Sequence, residues 1–96
     1  MKRTQIMQLL TEHLPVLRAR FNVTDLALFG STARDSARED SDIDILVSFD
    51  GVATSARYFG TQFYLEDLLG RSVDLVTDKA LRPELRPLIE KEALHV

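Results

Sequence analysis

The sequence predicts an α/β fold in the order αβαβαβα, and three observations predict it. Apolar residues recur at three- and four-residue spacing over 3–21 and again over 53–69, the period of helices that bury one stripe. Short β-favouring runs at 23–30, 42–49 and 72–77 alternate with those helical stretches. A helix of about 16 residues joins the second run to the third, which favours a parallel pair with a right-handed crossover.

The first helix rests on Ile6, Leu10, Leu14, Leu17 and Phe21, and Pro15 inside it is expected to kink or divide it. The run 23-VTDLALFG-30 ends at a glycine and reads as a strand. In 31-STARDSA-37 two hydroxyl residues suit the start of a short helix. Ile43, Ile45, Val47 and Phe49 alternate with Asp42, Asp44, Leu46 and Ser48, so the second strand has two distinct faces, one of which begins with two carboxylates. The next helix carries Phe59, Phe63, Leu65, Leu68 and Leu69 and stops before Gly70. Gly60 inside it costs about 1 kcal/mol of helix propensity relative to alanine. The third strand is 72-SVDLVT-77, and Pro83 is expected to open a last helix through 94 that Pro87 interrupts.

A chain of 96 residues predicts a single domain, 1–96. Its hydrophobic share of 45% and charged share of 28% are those of an ordinary globular protein. The absence of cysteine excludes disulfides, a thiolate nucleophile and cysteine-based zinc sites. No apolar run approaches the roughly 20 residues that cross a bilayer, and the N-terminus lacks the apolar centre of a cleavable signal, so the expected location is cytoplasmic. A net charge of -3 argues against direct nucleic-acid binding. The acids are concentrated, with five of the ten residues from Asp35 to Asp44 being Asp or Glu.

That concentration has a chemical reading. Residues two apart in a strand point to one side, so Asp42 and Asp44 form a carboxylate pair that Asp74, at the matching point of a parallel neighbour, can close. If the first strand runs antiparallel to the second, Gly30-Ser31 arrives at the same edge. Three clustered carboxylates raise one another's pKa unless a cation neutralises them. Oxygen ligands alone point to magnesium or manganese, and two such ions typically serve phosphoryl or nucleotidyl displacement. Glycine permits the tight turn, and the helix start that follows offers N–H groups to phosphate oxygens.

Bland readings compete with each piece. A Gly-Ser is usually a turn, and an Asp-x-Asp is usually a solvated strand end. Asp40, Asp42 and Asp44 mimic the opening of an EF-hand loop, but Ile45 and Gly51 stand where its glycine and glutamate belong. Neither a P-loop nor a GxGxxG is present. Arg34 and Arg38 suit either a phosphate clamp or local ion pairs. His13 reads as a surface or interface residue, His95 as solvated, and Phe59, Phe63 and Tyr64 as core or partner-facing.

The segment 29-FGSTARDSAREDSDIDILVSF-49, with Gly30-Ser31, ten intervening residues and then Asp42-Ile43-Asp44, closely resembles the signature of the DNA-polymerase-β-like nucleotidyltransferase superfamily. Within it the chain is similar to the minimal nucleotidyltransferases, over about residues 3–94. The resemblance implies a small mixed sheet of three to four strands flanked by helices, two Mg2+ ions and ATP as donor. It implies that Ser31, after Gly30, holds donor phosphates; Gly30, Ser31 and, on the strength of its charge, Arg34 are the expected nucleotide-binding residues. Asp42, Asp44 and Asp74 would be catalytic and metal-ligating, Asp74 helping to deprotonate the acceptor. Where the family often has glycine after Ala-Arg, this chain has Asp35.

A chain this short leaves little beyond the catalytic sheet, so the acceptor must bring its own binding surface. The resemblance implies that this acceptor is a HEPN-domain ribonuclease toxin in a hetero-oligomer, with AMP passing to one of its tyrosines and the chain acting as antitoxin. Two alternatives stand beside it: an antitoxin that masks its partner without chemistry, and nucleotidyl transfer to RNA or a small molecule.

Overall fold

A computed structural model describes residues 1–36, 38 and 41–96. The elements are α1 (Arg3–Phe21), β1 (Val23–Leu28), α2 (Gly30–Ala33), β2 (Ile43–Phe49), α3 (Ser55–Leu69), β3 (Val73–Thr77), a 3-10 turn (Asp78–Ala80), α4 (Arg86–Glu92) and β4 (Leu94–His95). The expected end of the second helix at Ala37, and Asp40 of the EF-hand comparison, lie outside the described residues.

The strands form one mixed sheet in the order β3-β2-β1-β4. β1 runs antiparallel to β2 and to β4, while β2 and β3 are parallel, as the crossover length predicts. One face is dry. Ile43, Ile45, Val47, Val73 and Leu75 alternate onto it and pack with Val23, Leu26 and Leu28 against Ile6, Leu10 and Leu17 of α1 and Leu65 and Leu69 of α3. Each such fully buried aliphatic side chain contributes roughly 1.5–3 kcal/mol. The opposite face carries a smaller cluster of Ala27, Leu46 and Leu81, over which Ile89 and Ala93 from the α4 segment pack.

Three expectations are corrected. α1 continues unbroken through Pro15, which lies on the exposed side, where water can satisfy the carbonyl that lacks a helical donor. The last helix is shorter, Arg86–Glu92, because Pro87 stands at its first turn, where a missing N–H costs nothing. Beyond it the chain turns extended and forms β4, pairing Leu94 with Leu28 and His95 with Ala27. A two-residue strand leaves no periodic trace in a sequence.

Gly60 has a packing cause. A Cβ there would lie 2.9 Å from Phe21 Cδ1 and 3.1 Å from its Cζ, so the missing side chain is what lets α1 and α3 come together. Beside that contact His13 Nδ1 hydrogen-bonds Tyr64 Oη at 2.6 Å, which makes His13 a part-buried structural residue. Among the described residues no helix is long and apolar enough to cross a membrane.

Candidate active site

The alternation that buries Ile43 and Ile45 turns Asp44 to the opposite face of β2, and the alternation of Val73 and Leu75 does the same for Asp74. The parallel register sets Asp44 directly beside Asp74. Asp42 precedes β2 and is exposed, and the N–H of the next residue, Ile43, donates to the Ser72 carbonyl at 2.9 Å.

The glycine turn reaches the same place because β1 is antiparallel to β2. The Phe29 N–H donates to the Asp44 carbonyl at 3.1 Å. Gly30 follows with φ +66°, and a Cβ on it would strike Asp44 Oδ2 and come within 3.1 Å of Asp44 Cγ. Both the backbone conformation and the space therefore require glycine. Ser31 continues into α2, whose C-terminal Ala33 carbonyl accepts from Arg3 Nη1 at 2.8 Å. The Ser31 carbonyl accepts from the Ser36 N–H at 2.9 Å, closing the turn.

Burial is the largest influence on Asp44, followed by the charge of Asp74, a hydrogen bond shared with Asp74 and the charge of Asp42; together they push its carboxyl from 3.8 up to about 6. The Arg34 guanidinium pulls weakly the other way. Arg34 itself is exposed and paired with Glu92 Oε2 of α4 at 3.0 Å, so of its two sequence readings the structure displays the ion pair.

The structure thus brings Gly30, Asp44 and Asp74 into one neighbourhood, with Ser31 adjoining and Asp42 and Arg34 close enough for their charges to be felt. Among the described residues no three His, Cys, Asp or Glu side chains are gathered into a ready cation site. Mutual repulsion gives the physical reason: Asp42, free of the strand, has nothing to draw it toward two other carboxylates. The donor set nonetheless fits a hard divalent cation, being oxygen-only and carboxylate-rich, with Asp44 and Asp74 adjacent on one rung where a cation would offset their repulsion.

Asp35 has φ 58°, the left-handed conformation that follows a helix end. A glycine at that position therefore answers a backbone need, which aspartate meets at a cost of about 1 kcal/mol. Sequence reasoning missed two participants. Glu92 holds Arg34, and the Arg71 guanidinium donates to the carbonyls of Arg38, at 2.7 Å, and of Ser41. Neither lies in a motif, and only long-range folding makes them neighbours.

The nucleotidyltransferase domain family matches residues 10–96. The protein adenylyltransferase MntA of Thermococcus cleftensis is 39% identical over 92 residues, covering 96% of this chain and 93% of that one. A solved structure described as a candidate minimal nucleotidyltransferase superposes with TM-score 0.83 at 37% identity, covering 98% of this chain and 95% of the other. The MNT antitoxin in complex with the tri-AMPylated HEPN toxin of Shewanella oneidensis shares the fold, with TM-score 0.60 at 22% identity over 97% of this chain and 66% of that one.

Proposed function

The chain belongs to the nucleotidyltransferase domain family, and on that premise we propose that it is an antitoxin that transfers AMP from ATP to a tyrosine of a partner HEPN ribonuclease toxin. The observation that carries this reading is the packing of the Gly30 turn against Asp44, with Asp74 on the same rung. Phosphate-holding backbone and acid pair share one edge. The related MntA is a protein adenylyltransferase, and the MNT antitoxin that shares the fold accompanies an AMPylated HEPN toxin.

The residues divide the work by position. Gly30 and Ser31 receive the triphosphate on the backbone of a turn that only glycine fits at position 30. Arg34, one turn further, exchanges Glu92 for a phosphate oxygen. Asp42, Asp44 and Asp74 are the carboxylates that would hold Mg2+, which, when bound, neutralises the triphosphate and the charge developing at the α-phosphorus. The tyrosine oxygen bonds to that phosphorus, the bond to the bridging oxygen breaks, pyrophosphate leaves, and Asp74 takes or guides the phenolic proton.

Labelled ATP, Mg2+ and the cognate HEPN protein test this directly. Label should appear on the partner and fall at least a hundredfold with Asp44→Asn or Asp74→Asn. A second reading, neutralisation by binding alone, is favoured by the exposed Asp42, which stands apart from the Asp44–Asp74 pair. Toxin inhibition kept in full by Asp42→Ala and Asp44→Ala, with no label on the toxin, would establish masking instead.

A further inference from the structure

Arg71 lies between Gly70, which caps α3, and the first residue of β3. Its Nη2 donates to the Arg38 carbonyl at 2.7 Å and to the Ser41 carbonyl. Those two residues also hold each other: the Ser41 N–H donates to the Arg38 carbonyl at 3.0 Å, and the Arg38 N–H to Ser41 Oγ at 3.2 Å. Directly after Asp42, the Ile43 N–H donates to the Ser72 carbonyl at 2.9 Å. The backbone of Asp42 is therefore gripped on both sides by the two residues 71 and 72. Asp42 precedes β2 and is exposed, so packing does not orient it and these two flanking bonds hold its backbone.

We propose that Arg71 is a positioning residue, which by binding the Ser41 carbonyl sets the backbone of Asp42 so that its carboxylate can join Asp44 on a shared divalent cation. The inference rests on the reading of Asp42 as a cation ligand. A guanidinium is suited to the task because its planar Nη2 carries two hydrogens in fixed directions, one for each carbonyl. Its positive charge near the site is unfavourable for cation binding, so its geometry, not its field, is what helps.

The test uses the full chain with Mn2+ and a non-hydrolysable ATP analogue, Mn2+ binding being followed by electron paramagnetic resonance. Arg71→Ala should weaken Mn2+ binding about tenfold, in line with the loss of a charged hydrogen bond, and Arg71→Lys should recover part of it. In an Asp42→Ala background, Arg71→Ala should have no further effect. If Arg71→Ala does not fold, Arg71→Gln is carried through the same comparison. Binding by the Arg71 variant that is unchanged or tighter overturns the proposal, as does an equal loss in both backgrounds, which a merely structural role would give. Wild-type protein that binds no Mn2+ with the nucleotide analogue overturns the cation-ligand reading and this inference together; wild-type binding with an indifferent Arg71 variant overturns this inference alone.

Discussion

At the scale of single residues, Asp44 carries the most stored electrostatic tension among the described carboxylates. Its carboxyl sits near 6 instead of 3.8 because burial and the neighbouring Asp74 both disfavour the charge. The folded chain therefore binds this proton more tightly than the unfolded chain does. Stability from this group is present at low pH and is lost as pH rises from 3.8 to about 6, above which the ionised carboxylate is a standing cost. In cation-free protein, Asp44→Asn should raise the melting temperature at about pH 7.5 and flatten its decline between pH 3.8 and about 6. An Asn variant that follows the wild-type pH profile would show that the tension is not there. The alternation of Asp42, Ile43, Asp44 and Ile45 made the carboxylate visible in the sequence, but the size of its perturbation depends on Asp74, thirty residues on.

Among the elements, the contact between α1 and α3 decides how closely the dry layer can pack. Gly60→Ala should gain about 1 kcal/mol of helix propensity and lose about 1–3 kcal/mol to overpacking against Phe21. Phe21 has little room to retreat, since its ring meets Tyr64 edge-on at 6.4 Å and lies under the Arg20 guanidinium at 5.2 Å. A net loss of about 1 kcal/mol in chemical denaturation is expected, largely relieved when Phe21→Leu is added; a stabilised Gly60→Ala protein would refute the close approach. α3 has a second task. Val73 N–H donates to Glu66 Oε2 at 3.0 Å, Gln62 Nε2 donates to the Val73 carbonyl at 3.2 Å, and Tyr58 Oη donates to the Leu75 carbonyl. The outer edge of β3 is thus occupied by side chains of the helix that precedes it, which guards it against pairing with another strand. Helical periodicity shows that α3 exists and where Gly70 ends it; these polar residues on its flank carry no sequence signal for the strand edge they serve.

For the molecule as a whole, the sheet order β3-β2-β1-β4 is what gathers three distant segments at one edge. The central antiparallel pair brings the end of β1 to the start of β2, and the parallel crossover brings the start of β3 beside it. A site built from repelling carboxylates should couple its ligands to stability. Mg2+ with ATP at about a hundred times the dissociation constant should add about 2.7 kcal/mol, which for a chain of this size raises the melting temperature by more than about 5 °C. Asp42→Ala and Asp44→Ala should each lose most of that gain; a wild-type melting temperature indifferent to millimolar Mg2+ and ATP would remove the case for the site.

Sequence alone located the helices and three longer strands, the direction of the β2–β3 pair and the two faces of β2, and it singled out Gly30, Ser31, Asp42, Asp44 and Asp74 as the residues proposed for the site. All of these follow from local periodicity, turn chemistry and motif spacing, which act over a few residues. Tertiary structure decided that Asp44 and Asp74 share a rung and that, among the described residues, Asp42 does not join them in a ready cation site. It also decided that Glu92 holds Arg34, that Arg71 grips the backbone before Asp42, and that Leu94–His95 completes the sheet. Those outcomes are set by strand register and by hydrogen bonds between segments far apart in the chain, whose partners are chosen only when the sheet closes.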